Sequence, residues 1–394
     1  MLHKSGRTIF ILLIFFAAES FFWMFNFLDW RITYILLCFL FFLLLRTSYN
    51  LKSTGFRPFI QCYLLLWLVS AIYTFTHDAA PIQTEVRSYM MALPMLLLFR
   101  PFASMGHRYG VSSLMTPMVF FSRIVVIVLL LQYAGLINLI AEDTLSERDG
   151  MRSFMGANAM TLGLFFELHR VLFRKDKDRI FSWAWILLTL PCIILVNQSR
   201  STIFAVLGGV VILFYYRWGK LMKRAGCIGA AIKITLVALV VYYTYNYVMG
   251  IINESISMKE ASSIQRIDAY AYYWMVFLQH PLVGVGFSSP NNLISEGTFL
   301  KLFTDDIGIV GYLAQSGLLG ILMQTMIVIN YVKCIKRLNN DWKYLFLTIG
   351  FFYILISPFN SYMLTHQEYV IYTLALLSVV VSYYGTNTKL VQHG

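Results

Sequence analysis

Apolar runs recur from one end of this 394-residue chain to the other. Most of them are about 17–25 residues long, which is enough for a helix to cross a hydrocarbon core about 30 Å thick. Hydrophobic residues make up 59 % of the chain and charged residues only 13 %, outside the range of soluble domains. The runs are continuously apolar rather than alternating, so they predict helices and not a β-barrel. We therefore expect an all-α polytopic membrane protein whose residues 1–394 form a single transmembrane domain.

The pattern of runs and charged loops predicts about twelve spans with both termini in the cytoplasm. The first run follows basic residues and contains Glu19, and we expect a retained helix there rather than a cleaved signal peptide. Two spans are expected near the C-terminus. The preceding ten are expected at roughly 8–28, 32–45, 59–76, 88–99, 115–139, 154–172, 181–197, 202–216, 228–250 and 305–332.

The positive charge of the chain follows the membrane topology. The net charge is +12, but most Lys and Arg residues fall in alternate short loops, as the positive-inside rule requires. This placement argues against a nucleic-acid partner. The five cysteines lie in predicted spans or at their cytoplasmic edges, so we expect no disulfide and no cysteine metal site.

One long region stays polar and aromatic between two spans. Residues 251–304 form an outer, periplasmic loop between the ninth and tenth spans. Within it, Ser262 to Gln265 fits a capping box, apolar residues follow at helical spacing, and His280-Pro281 is a stop signal. We expect an amphipathic helix here that lies on the membrane or packs over the spans.

Three arginines stand at the start of outward-starting helices, where Lys and Arg are otherwise depleted. Arg152 precedes the sixth span, Arg200 precedes the eighth, and Arg266 opens the loop helix. A helix N-terminus already carries partial positive charge, so an added guanidinium is unfavourable unless an anion binds there. Arginine is shaped to grip phosphate with two hydrogen bonds. The set predicts a site for a phosphorylated ligand; anchoring to lipid headgroups, or pairing with Asp149 and Asp268, is the alternative.

Two positions are candidates for a general base. His280 titrates near neutral pH, although a histidine before proline also serves as a helix C-cap. Asp305 and Asp306 follow Thr304 at the start of the tenth span, where one acidic residue suffices as an N-cap. The second carboxylate could activate an acceptor hydroxyl.

Two ionisable residues fall inside predicted spans. Glu19 lies in the middle of the first span, and Arg123 lies in the fifth. Intramembrane charges suggest function by default. We expect Arg123 to be close enough to the cytoplasmic end to extend its guanidinium to the surface.

Four short motifs follow one another over about residues 150–320. They are the Arg152–Gly163 segment, which has an Arg-(x)4-6-Asn or Arg-x10-Gly pattern; Asn197-Gln198-Ser199-Arg200-Ser201; His280-Pro281-Leu282-Val283-Gly284-Val285-Gly286; and Gly317-Leu318-Leu319-Gly320. Together and in this order, they resemble the O-antigen polymerase and O-antigen ligase superfamily of bacterial envelopes, and topology extends the likeness along the chain.

The resemblance implies a metal-independent, GT-C-type glycosyltransferase that needs no cofactor and works in the bacterial inner membrane with its active site on the periplasmic side. Its donor would be an oligosaccharide on undecaprenyl pyrophosphate. Arg200 and Arg266 would contact the pyrophosphate and Arg152 would assist. Membrane lipids and a chain-length regulator protein are the other partners that it implies.

One departure from the ligase pattern favours a polymerase. Ligases carry a histidine about nine residues before a glutamate that precedes Gly-Leu-x-Gly. Here Asp306 takes the histidine position and Gln315 the glutamate position, whereas Asp306-Ile307-Gly308 fits the Asp-x-Gly pattern of polymerases. A polymerase with Asp306, His280 and Arg266 at its centre is therefore the preferred hypothesis. An O-antigen ligase and a lipid-linked oligosaccharide flippase are the alternatives.

Overall fold

Helices dominate the described part of the chain. The computed structural model describes residues 98–137, 145–147, 151–153, 156–174, 179–197, 200–222, 261–286, 307–338, 340–356 and 367–385, with isolated positions between 12 and 72 and between 235 and 249. The helices whose bounds lie within these residues are α1 (Phe99–Tyr109), α2 (Ser112–Tyr133), α3 (Ala157–Phe173), α4 (Arg179–Cys192), α5 (Arg200–Met222), α6 (Ala261–Gln279), α7 (Gly308–Lys336), α8 (Asn340–Ile356) and α9 (Gln367–Tyr384).

Among these residues, four helical segments are long and apolar enough to cross a membrane. They are Ser112–Tyr133, Arg179–Val196, Ser201–Trp218 and Gly308–Lys336, and Tyr369–Tyr384 is a shorter apolar helix. They overlap the predicted fifth, seventh, eighth and tenth spans, which supports a polytopic helical membrane protein. The first four spans and the ninth lie largely or wholly outside the described residues.

Helix α3 is the centre of the bundle. Fifteen of its residues are buried, and α2, α4, α5 and α8 pack around it. A Cβ added to Gly163 would lie 2.1 Å from the Ser122 hydroxyl of α2, and one added to Gly209 of α5 would lie 2.6 Å from the Phe165 ring. Small residues therefore bring the helices into close contact, which is how membrane helices associate where lipid supplies no hydrophobic drive.

The ends of four helices meet in one aromatic layer on one side of the bundle. The Tyr216 and Tyr344 rings stack at 4.0 Å, the His169 and Trp342 rings lie 4.9 Å apart, and Trp342 also stacks on Tyr384. These contacts bring together the ends of α3, α5 and α9 and the start of α8. Arg174, Arg217 and Lys343 are on this same side, so we call it the basic side. It has the aromatic and cationic composition of a membrane interface.

The short helix α1 packs against α9 beside the basic side. A Cβ added to Gly106 would lie 2.6 Å from the Val379 side chain. The Ser382 hydroxyl lies 3.1 Å from His107 Nδ1, and the Tyr383 hydroxyl donates to the His107 carbonyl at 2.7 Å. Burial lowers the pKa of His107 below its ordinary value of 6.5, so the folded protein favours the neutral imidazole.

This contact predicts an acid-sensitive packing of α1 on α9. Because the pKa of His107 is lowered on folding, the unfolded chain binds the extra proton first as the pH falls below 6.5. The stabilisation is complete above pH 6.5 and declines below it. We expect the thermal midpoint of the wild type to fall more between pH 7 and pH 5.5 than that of His107→Gln. Parallel slopes for the two proteins would exclude His107 as the source.

Candidate functional site

Two of the three predicted arginines lie on neighbouring backbone segments. Arg152 is in strand β2 (Met151–Ser153), which pairs with β1 (Leu145–Glu147) so that Ser146 opposes Arg152. Strand β2 contacts the π-helical segment Ile193–Asn197, and Arg200 opens α5 three residues after that segment. The two backbones therefore meet on the side of the bundle opposite the basic side; both side chains lie outside the described residues.

Local sequence explains both segments. Asp149-Gly150, a dipeptide typical of hairpin turns, stands between β1 and β2. This hairpin was not among the predicted elements. Pro191 lies at the end of α4, where a proline cannot donate to the carbonyl four residues earlier. The helix widens into the π-helical segment just after it. The chain thus leaves regular α-helix shortly before Arg200.

The start of α3 lies next to the hairpin. Gly156 adopts a left-handed conformation, with φ of 70°, at the residue before the helix. Asn158, the asparagine of the Arg-(x)4-6-Asn pattern, is buried. Among the described residues, neither its Oδ1 atom nor Thr161 Oγ1 has a hydrogen-bond partner. Gly163, the glycine of the Arg-x10-Gly pattern, packs against Ser122 of α2.

The loop helix α6 ends where the sequence predicts. It runs to Gln279, and the His280 amide donates to the Val276 carbonyl at 3.0 Å. The helix begins at Ala261, one residue before Ser262, so Ser262 is already within the helix instead of preceding it as a capping box requires. Ala269 and Tyr273 of α6 pack against Ile307 and Ala314. The predicted amphipathic helix thus packs along α7.

The two glycine-containing motifs bind each other through the backbone. Helix α7 is interrupted at Gly317, which has φ of 61° and ψ of −165°. The turn Pro281–Gly286 fills this interruption with four hydrogen bonds: Val285 N to Ala314 O at 2.9 Å, Gly286 N to Gln315 O at 2.9 Å, Leu318 N to Pro281 O at 2.8 Å and Leu319 N to Leu282 O at 3.1 Å. We call this arrangement of residues 281–286 and 314–319 the clasp. It satisfies the backbone groups that a broken membrane helix would leave unpaired.

Glycine is required on both sides of the clasp. A Cβ at Gly284 would lie 2.4 Å from the Gln315 carbonyl carbon, and a Cβ at Gly317 would lie 2.4 Å from the Leu282 carbonyl carbon. Both glycines also have positive φ, which other residues seldom adopt. The motif residues that suggested the resemblance therefore have a direct structural role, and Gln315 contributes its backbone carbonyl to it.

Arg266 does not open α6 as predicted, because it is the sixth residue of the helix and lies in its second turn, whereas His280 directly follows the last residue. Fourteen residues separate them, which is about 21 Å along an α-helix. Arg266 is exposed and has no ion-pair partner among the described residues; Asp268 nearby is also exposed and does not pair with it. Ile307, which directly follows Asp306, packs near the Arg266 end of α6, whereas His280 adjoins the clasp. Asp305 and Asp306 themselves lie outside the described residues.

Arg123 does not extend to the surface as expected. Its guanidinium forms an ion pair with Glu167 of α3, and it lies over the rings of Phe181 and Trp185 of α4, 4.7 and 5.3 Å from their centroids. Arg170 Nη1 is 3.5 Å from the second Glu167 oxygen. A buried carboxylate thus holds Arg123 inside the bundle. Glu167 and Arg170 lie near the basic end of α3, away from the hairpin, and Glu19 is outside the described residues.

The fold and site define a class of protein: a polytopic helical membrane protein in which the turn Pro281–Gly286 fills a break in a long helix. Residues 185–325 match the O-antigen ligase family model. The match runs from Trp185 through Arg200, α6 and the clasp to Thr325, and it supports the resemblance to the O-antigen polymerase and ligase superfamily. No curated protein and no solved structure matches the chain.

Proposed function

We propose that the protein is an O-antigen polymerase that acts on lipid-linked repeat units at the periplasmic face of the inner membrane. The observation that carries the proposal is the family match over residues 185–325, which contains two of the three arginines and the clasp. Asp306-Ile307-Gly308 at the start of α7 favours the polymerase side of the superfamily. The ligase is the second candidate, because the matching family model is described as O-antigen ligase.

The proposed reaction transfers the growing glycan between two lipid carriers. A hydroxyl oxygen of the incoming repeat unit forms a bond to the anomeric carbon of the growing chain. The bond from that carbon to the pyrophosphate oxygen breaks, and undecaprenyl pyrophosphate leaves with the electron pair. Asp306 takes the hydroxyl proton in this scheme, with His280 as the alternative base.

Three arginines hold the leaving group in this mechanism. Arg152 and Arg200 are on adjoining backbone segments, and in this proposal both bind one pyrophosphate where α5 begins. Arg266 adds a third charge from α6, since its guanidinium is exposed and has no ion-pair partner within the described part of the chain. Fixed cations directed at developing negative charge lower the barrier without reorganising in the transition state. A chain-length regulator remains a further proposed partner.

Arg200→Ala is the variant that tests this assignment. Loss of one fixed donor at developing charge lowers a rate by about 100-fold or more, so polymer ladders in complemented deletion cells should collapse to a single repeat. Arg179→Ala is the matched control, since Arg179 opens α4 on the basic side and should leave the ladder intact. Arg152→Ala and Arg266→Ala should resemble Arg200→Ala.

The same cells separate the two candidate functions. Deletion of a polymerase leaves lipopolysaccharide capped with one repeat unit, whereas deletion of a ligase removes every capped form. A normal ladder from normally expressed Arg200→Ala would refute the role of that arginine. Complete loss of capped product in the deletion strain would instead favour the ligase.

A further inference from the structure

An apolar cavity of about 480 Å³ lies between α5, α7, α8 and α9, far from the hairpin and the clasp. Two of its polar lining residues direct their hydroxyls elsewhere: Tyr331 donates to the Phe346 carbonyl at 2.6 Å and Thr373 to the Tyr369 carbonyl at 2.8 Å. Most of the other lining residues are aliphatic or aromatic, so the wall is predominantly apolar. Tyr215, Val332 and Ile354 line it while being 45, 42 and 54 % exposed, so it opens on the outer surface of the bundle.

The cavity extends from the basic side toward the opposite side of the bundle. Ile335 lines its lower end, directly before Lys336, and the bridge between Leu338 and Gly385 joins the ends of α7 and α9 at that level. Val370 lines its upper end, fifteen residues before Gly385, which is about 22 Å at 1.5 Å per residue. One leaflet of a bilayer has a hydrocarbon depth of about 15 Å, half of the core. Gly385 itself does not line the cavity, and the lining on α7 runs from Ile327 to Ile335, about 12 Å. This length is close to that of an acyl chain in one leaflet, and the volume is in the range of ligand pockets.

Basic residues stand where the cavity meets the basic side. Lys336 continues the helical row of the lining residues Val328 and Val332 at four-residue spacing. Arg217 directly follows the lining residue Tyr216 on α5, but it lies on the row of Leu213, which does not line the cavity. Lys333 is at the same end of α7 but on the row of Ile329, which does not line the cavity. Basic pockets between helices on the cytoplasmic side bind anionic lipid headgroups.

We propose that this cavity binds one acyl chain of an anionic phospholipid of the cytoplasmic leaflet, whose phosphate lies at Lys336. The proposal rests on the proposed topology, in which the basic side is cytoplasmic, and does not depend on transferase activity. The lipid would fill the space between α7 and the α5–α8–α9 group, and so support the helix that carries the clasp.

Native mass spectrometry of delipidated protein tests the proposal. The probes are dipalmitoyl phosphatidylglycerol and dipalmitoyl phosphatidylcholine, which differ only in the headgroup. We expect the wild type to retain phosphatidylglycerol preferentially, and Val328→Trp, which fills the cavity, to bind it at least tenfold more weakly. Lys336→Gln should weaken phosphatidylglycerol about fivefold, the ordinary contribution of one lysine near an anionic headgroup, and leave phosphatidylcholine unchanged.

Neighbouring residues supply the matched controls. Ile329→Trp adds the same side chain one residue away on the lipid-facing row, and Lys333→Gln removes the same charge from the same helix end; both should bind phosphatidylglycerol like the wild type. Equal losses in each matched pair, or equal retention of the two lipids, would overturn the proposal. Displacement of phosphatidylglycerol by an undecaprenyl phosphate probe at equal concentration would also overturn it. The Lys336→Gln comparison remains decisive if Val328→Trp does not fold.

Discussion

Replacement of Gly317 by alanine is expected to abolish polymer formation and to lower stability by several kcal/mol. The φ of 61° and ψ of −165° at this residue fall in a region that is essentially restricted to glycine, where another residue costs about 1–3 kcal/mol. The added methyl would also lie 2.4 Å from the Leu282 carbonyl carbon, so the turn would have to withdraw. The Leu318 and Leu319 amides would then lose their acceptors. Thermal unfolding in detergent and polymer ladders in cells measure the two effects.

Gly135→Ala is the matched control for this variant. Gly135 also has a positive φ, of 69°, but a Cβ there would meet no atom within 4 Å. Gly135→Ala should lower stability by only about 1–2 kcal/mol, because of the backbone conformation at this position, and should leave the ladder intact. Gly284→Ala should reproduce Gly317→Ala, because its methyl would enter the same clasp from the other side. Equal effects of Gly135→Ala and Gly317→Ala would show that the contact between the turn and α7 is unimportant.

Local signals predicted α6 well, but they could not predict its docking. The His280-Pro281 stop ends the helix as expected, but apolar spacing did not identify the face that packs on α7. Ala269 and Tyr273 form that face, whereas Ile267, Trp274 and Leu278 of the predicted apolar face are exposed. The break at Gly317 was missed because Gly-Leu-Leu-Gly within a long apolar run is also compatible with an unbroken membrane helix. The hydrogen bonds that stabilise the break come from Pro281 and Leu282, more than thirty residues earlier. Local propensity does not contain such long-range partners.

The candidate site shows the same division. The position of Arg200 at the start of α5 could be read from the sequence, and its motif lies within the matched residues 185–325. Arg152 precedes α3 as predicted, but it lies in strand β2 and outside the match. The contact between β2 and Ile193–Asn197 depends on the hairpin at Asp149-Gly150 and on the widened helix after Pro191. Each has a local signal, but neither signal identifies the other segment as its neighbour. The sequence patterns therefore identified Arg152 and Arg200 but not the contact between the backbone segments that carry them.

Glu167→Ala is the second variant for which we expect a large loss of stability. Glu167 is 3 % exposed, and its carboxylate holds Arg123 from α2 and Arg170 from its own helix. Removal of one partner from a buried ion pair costs about 3–5 kcal/mol, because the remaining charge stays buried without compensation. The Arg123 side chain is only 18 % exposed, and its guanidinium lies over the Phe181 and Trp185 rings. We expect a correspondingly lower free energy of unfolding in denaturant titrations of the purified protein.

A double variant shows whether the loss comes from the uncompensated charge. Arg123→Met with Glu167→Leu replaces the pair by apolar side chains of similar size, a change that is often neutral or stabilising for buried ion pairs. It should recover most of the stability lost in Glu167→Ala. Polymer formed per folded molecule should stay near the wild-type level in both variants, because the pair lies near the basic side, away from the hairpin. If the double variant is as unstable as the sum of Arg123→Met and Glu167→Leu measured singly, the two residues are not energetically coupled. Packing of α2, α3 and α4 would then not depend on the ion pair.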